Sequence, residues 1–168
     1  MKVKSLSQVG MTVKSLKRSI EFYWGVLGIP VIKIFEMSSY VIEELYGLKD
    51  TKVRMAILRC GRGSFIELFE FTPSGKAIDK KDKRPGLTHI ALDVGNVKRI
   101  YKKLKAKGVK FISEPMREGR TEHVFVADPD GHLVELIDMG FLYYANRFMG
   151  SIVGRINMMT KYRDLSKI

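Results

Sequence analysis

The sequence predicts an α+β fold: two tandem β-α-β-β-β modules that build a shared cleft, followed by a C-terminal helix. Three observations predict it. The stretch "QVGMTVKSLKRSIEFYWGVLGIPVIK" (8–33) repeats in "HIALDVGNVKRIYKKLKAKGVKFIS" (89–113). Val13 meets Val94, Leu16 meets Val97, Lys17-Arg18 meets Lys98-Arg99 and, after a one-residue slip, Gly28 meets Gly108. Each copy is then followed by a pair of short apolar runs about a turn, at 55–71 and at 123–138. Between them lies "TPSGKAIDKKDKRPG" (72–86), rich in Pro, Gly and charge, which reads as a joint. The expected organisation is a first module over 1–71, a linker over 72–86, a second module over 87–138 and a helical extension over 139–168.

The elements follow in order. In the first strand Gln8, Gly10 and Thr12 share one face by the period-two rule. An amphipathic helix follows and ends at Gly28, before the next strand. "MAILRCGRGSFIELFEF" (55–71) reads as two strands joined by a turn at 61–63. In the second module "LTHIALDV" (87–94) turns Ile90, Leu92 and Val94 one way and His89, Ala91 and Asp93 the other. In "KRIYKKLKAKGVK" (98–110) Ile100, Leu104 and the Ala106–Val109 end face inward, so the lysines form a solvated face. "HVFVADPDGHLVELID" (123–138) reads as a hairpin around "DPDG", whose Pro and Gly suit a tight turn, with His132 beyond it at the surface. In the tail, Phe141, Ala145, Phe148, Ile152, Ile156 and Met159 fall at helical spacing, although Gly150 and Gly154 weaken that helix. This face is expected to pack on its own domain or a partner subunit; the alternatives are a membrane-surface helix or an active-site cover, since Arg147, Arg155, Lys161 and Arg163 accompany it.

Composition narrows the function classes. The net charge of +12 is spread along the chain, its group at 79–84 reads as a solvated loop, and no nucleic-acid-binding motif accompanies it. A basic surface instead favours a small, anionic substrate, and no nucleic acid is expected as a partner. No apolar run approaches the roughly 20 residues of a bilayer crossing, so no membrane partner is expected. A charged start without an apolar stretch after it, and the single Cys60, predict a cytoplasmic protein without disulfides.

The chemistry lies in two matched pairs. His89 alone reads as a core histidine with a hydrogen-bond partner. Under the repeat it superposes on Gln8, and both faces are free of bulky apolar groups. In "FIELFEF" and "LVELID", Glu67 and Glu135 also occupy matching places, each followed by Leu. A carboxylate within an apolar strand is costly unless paired, hydrogen-bonded or bound to metal. An amide carbonyl, an imidazole and two carboxylates suit one divalent ion of Zn, Ni, Co, Mn or Fe, with positions left for water or substrate.

Residues 6–138 resemble the vicinal oxygen chelate superfamily, which includes glyoxalases, bleomycin-resistance proteins and extradiol dioxygenases. The resemblance is carried by "QVGMTVKSLKRSIEFYWGVLG", "GLTHIALDV" and "DPDGHLVELI". It implies that Gln8, Glu67, His89 and Glu135 are the metal ligands, a set similar to that of glyoxalase I, the lactoylglutathione lyases. It further implies proton transfer next to a carbonyl through an enediolate, with Glu135 and Glu67 as the catalytic carboxylates, and a homodimer. Other members of the superfamily offer three alternatives. One is a metal-dependent dioxygenase, supported by Phe65, Phe69, Phe71 and His123. Another is an acyl-CoA epimerase, whose usual His and Gln at the first two ligand positions this chain lacks. The last is a non-catalytic small-molecule binding protein.

Overall fold

The computed structural model describes residues 5–61, 63–74, 86–160, 163 and 164. The charged run 79–84, most of the expected linker and Lys161 lie outside them. Two compact units divide the chain: residues up to His89 together with Ala127–Val134, and Ile90–Val126 together with residues from Glu135 onward. Each carries a four-stranded sheet with helices, which is the expected α+β arrangement of tandem modules.

In the first unit β1 (Gln8–Val13), β2 (Val31–Glu36), β3 (Lys52–Cys60) and β4 (Ser64–Thr72) form a sheet in the order β1-β4-β3-β2. β1 and β4 run parallel, and the other neighbours are antiparallel. The register sets Met11 beside Leu68 and Leu68 beside Ala56, so these side chains share a face. All three are buried, as are Val13, Leu58 and Ile66. The helix α1 (Leu16–Ile20), continued by a π-helical segment (Glu21–Val26), packs on β3 and β4 and adds the buried Leu16 and Tyr23. Each such large apolar side chain contributes about 1.5–3 kcal/mol when withdrawn from water.

The start of α1 is held twice. Ser15 Oγ accepts Arg18 N at 3.4 Å, and the Glu70 carboxylate from β4 accepts Leu16 N. Both satisfy amides that a first helical turn leaves without partners, and Glu70 also suits the positive end of the helix. The segment ends at Gly28, which adopts φ 78°. Gly108, its partner in the repeat, ends the corresponding stretch of the second unit with φ 80°. Left-handed backbone of this kind favours glycine, which explains the match between the two positions.

One helix departs from the expected β-α-β-β-β order: α2 (Ser39–Tyr46) lies between β2 and β3. Ser38 Oγ caps it by accepting Val41 N, and Gly47 closes it at φ 65°. Ile42 is its buried residue, while the exposed Tyr46 stands edge-on to Phe71 at 5.5 Å between ring centroids.

In the second unit β5 (Ile90–Asp93), β6 (Met116–Glu118), β7 (Thr121–Ala127) and β8 (Leu133–Asp138) form a sheet in the order β5-β8-β7-β6. The helix α3 (Val97–Ala106) begins at Asn96, whose side-chain oxygen accepts Arg99 N at 2.8 Å. Val97, Tyr101 and Leu104 are its buried stripe, with Ile100 at the margin, so the inward face is rotated toward Tyr101 relative to the expectation. The lysines of α3 are exposed as expected. After Gly108 the expected strand is reduced to a single bridge, Phe111 to Val126, while the Phe111 ring packs on Tyr101 at 4.6 Å. Pro115 lacks an amide hydrogen, and regular pairing resumes only at Met116. The tail forms the long helix α4 (Phe141–Met159).

The turn joining β7 to β8 follows its expected "DPDG" geometry: Gly131 N donates to Asp128 O, and Asp130 N to Asp128 Oδ1 at 2.9 Å. It belongs to the first unit because of what it holds. Asp130 Oδ2 accepts Lys14 N at 2.9 Å, and Asp128 Oδ2 accepts the Tyr23 hydroxyl at 3.1 Å.

Candidate active site

The parallel β1–β4 pairing brings two of the candidate residues together. Gly10 stands beside Glu67 and Gln8 beside Phe65, so Gln8 and Glu67 lie on the same face, one residue pair apart. Gln8 Nε2 donates to Glu67 Oε2 at 2.8 Å. The face is open at β1, where Gln8, Gly10 and Thr12 are all exposed, whereas Glu67 is half-buried. Buried Ile66 and Leu68 on either side of Glu67 point to the opposite face, into the core. Alternation alone therefore delivers a carboxylate to the open face of an otherwise apolar strand.

Gly10 has a second consequence. A β-carbon built there would lie 3.0 Å from Phe69 Cε2, closer than side chains normally pack. The Phe69 ring therefore lies across the glycine, and it stacks with Phe71 at 6.5 Å and 27°. Phe65, Phe69 and Phe71 are half-buried, so these aromatics sit on the site face rather than in the interior.

His89 falls immediately before β5 instead of within it, and is exposed. Its Nδ1 is 3.1 Å from Thr88 Oγ1. The tautomer that donates from Nδ1 to Thr88 carries its lone pair on Nε2. His89 belongs to the first unit with Gln8 and Glu67. Glu135 stands on β8 in the second unit, half-buried between the fully buried Val134 and Leu136. Among the described residues, no group of three or more His, Cys, Asp and Glu is arranged to hold a metal ion. Of the other two histidines, His123 on β7 is half-buried and packs edge-on to Phe125 at 5.9 Å between ring centroids.

The surface position expected for His132 needs correction. Its Nδ1 lies 2.9 Å from Asp128 Oδ2, its backbone N donates to Asp128 Oδ1 at 2.8 Å, and its side chain is largely covered. Asp128 thus accepts from His132, Asp130 and Tyr23 while buried. Burial raises its carboxyl, but the hydrogen bonds and charge of His132 outweigh that and hold it below the usual carboxylate range. Burial, then the Asp128 charge and hydrogen bond and the Asp130 charge, push the Tyr23 phenol well above its ordinary range. The "DPDG" motif pointed to a turn, but nothing in it pointed to Tyr23 as the partner.

Residues 5–136 match the Glyoxalase/Bleomycin resistance protein/Dioxygenase superfamily, and the chain belongs to it. It is 32% identical over 127 residues to a probable lactoylglutathione lyase of Synechocystis sp., covering 74% of this chain and 88% of the relative. It is also 31% identical over 130 residues to the lactoylglutathione lyase of Escherichia coli O157:H7, covering 76% and 87%. Among solved structures, a glyoxalase family protein from Bacillus cereus superposes with a TM-score of 0.69 at 19% identity, over 82% of this chain and 95% of that one. The trypanothione-dependent glyoxalase I of Leishmania major superposes with a TM-score of 0.64 at 22% identity, over 90% and 99%. These two share the fold.

Proposed function

We propose that the protein is a metal-dependent lyase of the glyoxalase I kind, acting in the cytoplasm on the hemithioacetal of a small thiol and a 2-oxoaldehyde. The observation that carries this reading is the Gln8–Glu67 contact on the open face of β1 and β4. It is supported by the lactoylglutathione lyases, about 30% identical, among the relatives. The proposed donors to one divalent ion are Gln8, Glu67, His89 and Glu135. The first two fit such an ion. Turning the Gln8 amide over replaces its N–H with a carbonyl oxygen beside the Glu67 carboxylate, giving two oxygen donors on one face. When bound, the cation supplies Lewis acidity to the substrate's carbonyl and hydroxyl oxygens.

The protein's own residues carry the proton. Glu135 removes it from the carbon that bears sulfur and hydroxyl, leaving an enediolate, and the same proton returns to the neighbouring carbon to give a thioester of a 2-hydroxy acid. Glu67 serves as the second carboxylate of the proposed pair. The half-buried Phe69 and Phe71 beside it exclude water from the apolar part of the substrate.

The test combines metal analysis of the purified protein with a methylglyoxal–thiol assay across several thiols. Glu135→Gln should lower kcat by about 10²-fold or more, the usual worth of a positioned acid–base group. Full activity in Glu135→Gln overturns the proton role. A metal-free native protein whose four donors all tolerate alanine overturns the site.

A further inference from the structure

The helix α4 offers a surface that the reaction does not use. Phe141, Phe148 and Met159 are each 75% exposed, Ile152 is 59% and Ile156 55% exposed, and their spacing of seven, four, four and three residues lines them along one side. Exposed apolar side chains scattered singly are ordinary, but a stripe running the length of a 19-residue helix marks a binding surface. We propose that α4 docks on an anionic lipid surface, lying flat with the Phe148–Ile152–Ile156 stripe in the headgroup region.

Charge chooses this occupant. Between Met139 and Arg163 the sequence carries Arg147, Arg155, Lys161 and Arg163 and no acidic residue, within a chain of net charge +12. A second copy would bring the same positive helix against this one, whereas anionic headgroups complement it. No helix of the described residues is long and apolar enough to cross a membrane. Arg147, Ser151, Arg155 and Asn157 instead give α4 the polar side of a helix that rests in the interface. The expectation of no membrane partner rested on the lack of a spanning segment and does not bear on such a helix.

The backbone of α4 agrees. Gly150 and Gly154 have no heavy atom within 4 Å of where a β-carbon would stand, so no close packing requires them. They weaken the helix in water, and Gly140 provides no side-chain cap at its start. An apolar surface that takes up the stripe supplies the stability the helix lacks by itself.

The test is co-sedimentation of the full chain with vesicles of one part phosphatidylglycerol to three parts phosphatidylcholine, and with phosphatidylcholine alone. Binding is expected to the anionic vesicles only, and to fall steeply between about 0.1 M and about 1 M salt as the Debye length shrinks. The double variant Phe148→Ser/Ile152→Ser, with an unchanged thermal melt, should lose at least about tenfold in partitioning, since two large side chains leave the interface. Arg147→Gln/Arg155→Gln should bind more weakly and with less sensitivity to salt. Three outcomes overturn the proposal. One is the absence of binding to anionic vesicles. Another is undiminished binding by the Phe148→Ser/Ile152→Ser chain, which would assign the attraction to lysines elsewhere. The third is a dimer in solution that the same variant dissociates, which would give the stripe to a second copy.

Discussion

The Tyr23 hydroxyl donates to Asp128 Oδ2 across 3.1 Å, joining residues 105 positions apart. Through this bond the turn between β7 and β8 grips the helical segment that follows β1, and the Asp130–Lys14 bond secures it again. Asp128 is buried with several donors around it, so its removal leaves those donors unsatisfied. Asp128→Asn should therefore destabilise by about 2 kcal/mol, and Tyr23→Phe by about 1 kcal/mol, in urea unfolding. A loss in Tyr23→Phe as large as in Asp128→Asn would mean that His132 and the turn amides contribute little.

The same cluster sets a pH window. Asp128 is held below the usual carboxylate range, so its contribution is present above the unfolded value near 3.9 and is lost as pH falls through its lower folded value. Tyr23 is raised, so its contribution is present below the unfolded value near 10 and is lost as pH climbs past it. Urea midpoints measured from acid to alkali should fall at both ends. Asp128→Asn should flatten the acid limb, and Tyr23→Phe the alkaline one.

Gly10 is the position where a single methyl group should alter the site without altering the fold. Gly10→Ala places a carbon against the Phe69 ring, which must move by a few tenths of an ångström. KM for the productive substrate should rise several-fold with little change in melting temperature, and Gly10→Val should do more. Adding Phe69→Leu should restore much of the loss. A double variant no better than Gly10→Val alone would place the effect elsewhere.

Metal removal gives a separate check on the donors. Chelation should abolish activity, and one equivalent of a suitable divalent ion should restore it. Gln8→Ala removes an oxygen donor and Glu67→Gln replaces an anionic carboxylate with a neutral amide, so each should lower metal affinity. If both retain one tightly held ion per chain, the donor assignment is wrong.

The strands that carry Gln8, Glu67 and Glu135 were legible because alternation with period two is a local property, readable over six residues. So was the equivalence of Gly28 and Gly108, since a left-handed helix end selects one residue type. The helix α2 was missed although Ser38 and Gly47 mark its ends. Its eight residues include Tyr, Val and Ile, which suit a strand equally well, and so short an apolar run fits either period. The strand expected after Gly108 depended on a partner that only Val126 supplies. The Tyr23–Asp128 bond had no local signal, because its two ends are brought together by tertiary structure alone.

The parallel pairing of β1 with β4 also bears on the order in which the chain folds. β1 precedes the other three strands of its sheet in the chain, yet its neighbour is β4, the last of them. During synthesis β1 therefore waits, without its ladder, for Glu67, 59 positions beyond Gln8. Contacts so distant along the chain form slowly, and a waiting strand exposes its edge. The Gln8–Glu67 contact therefore forms only once β1 has paired with β4.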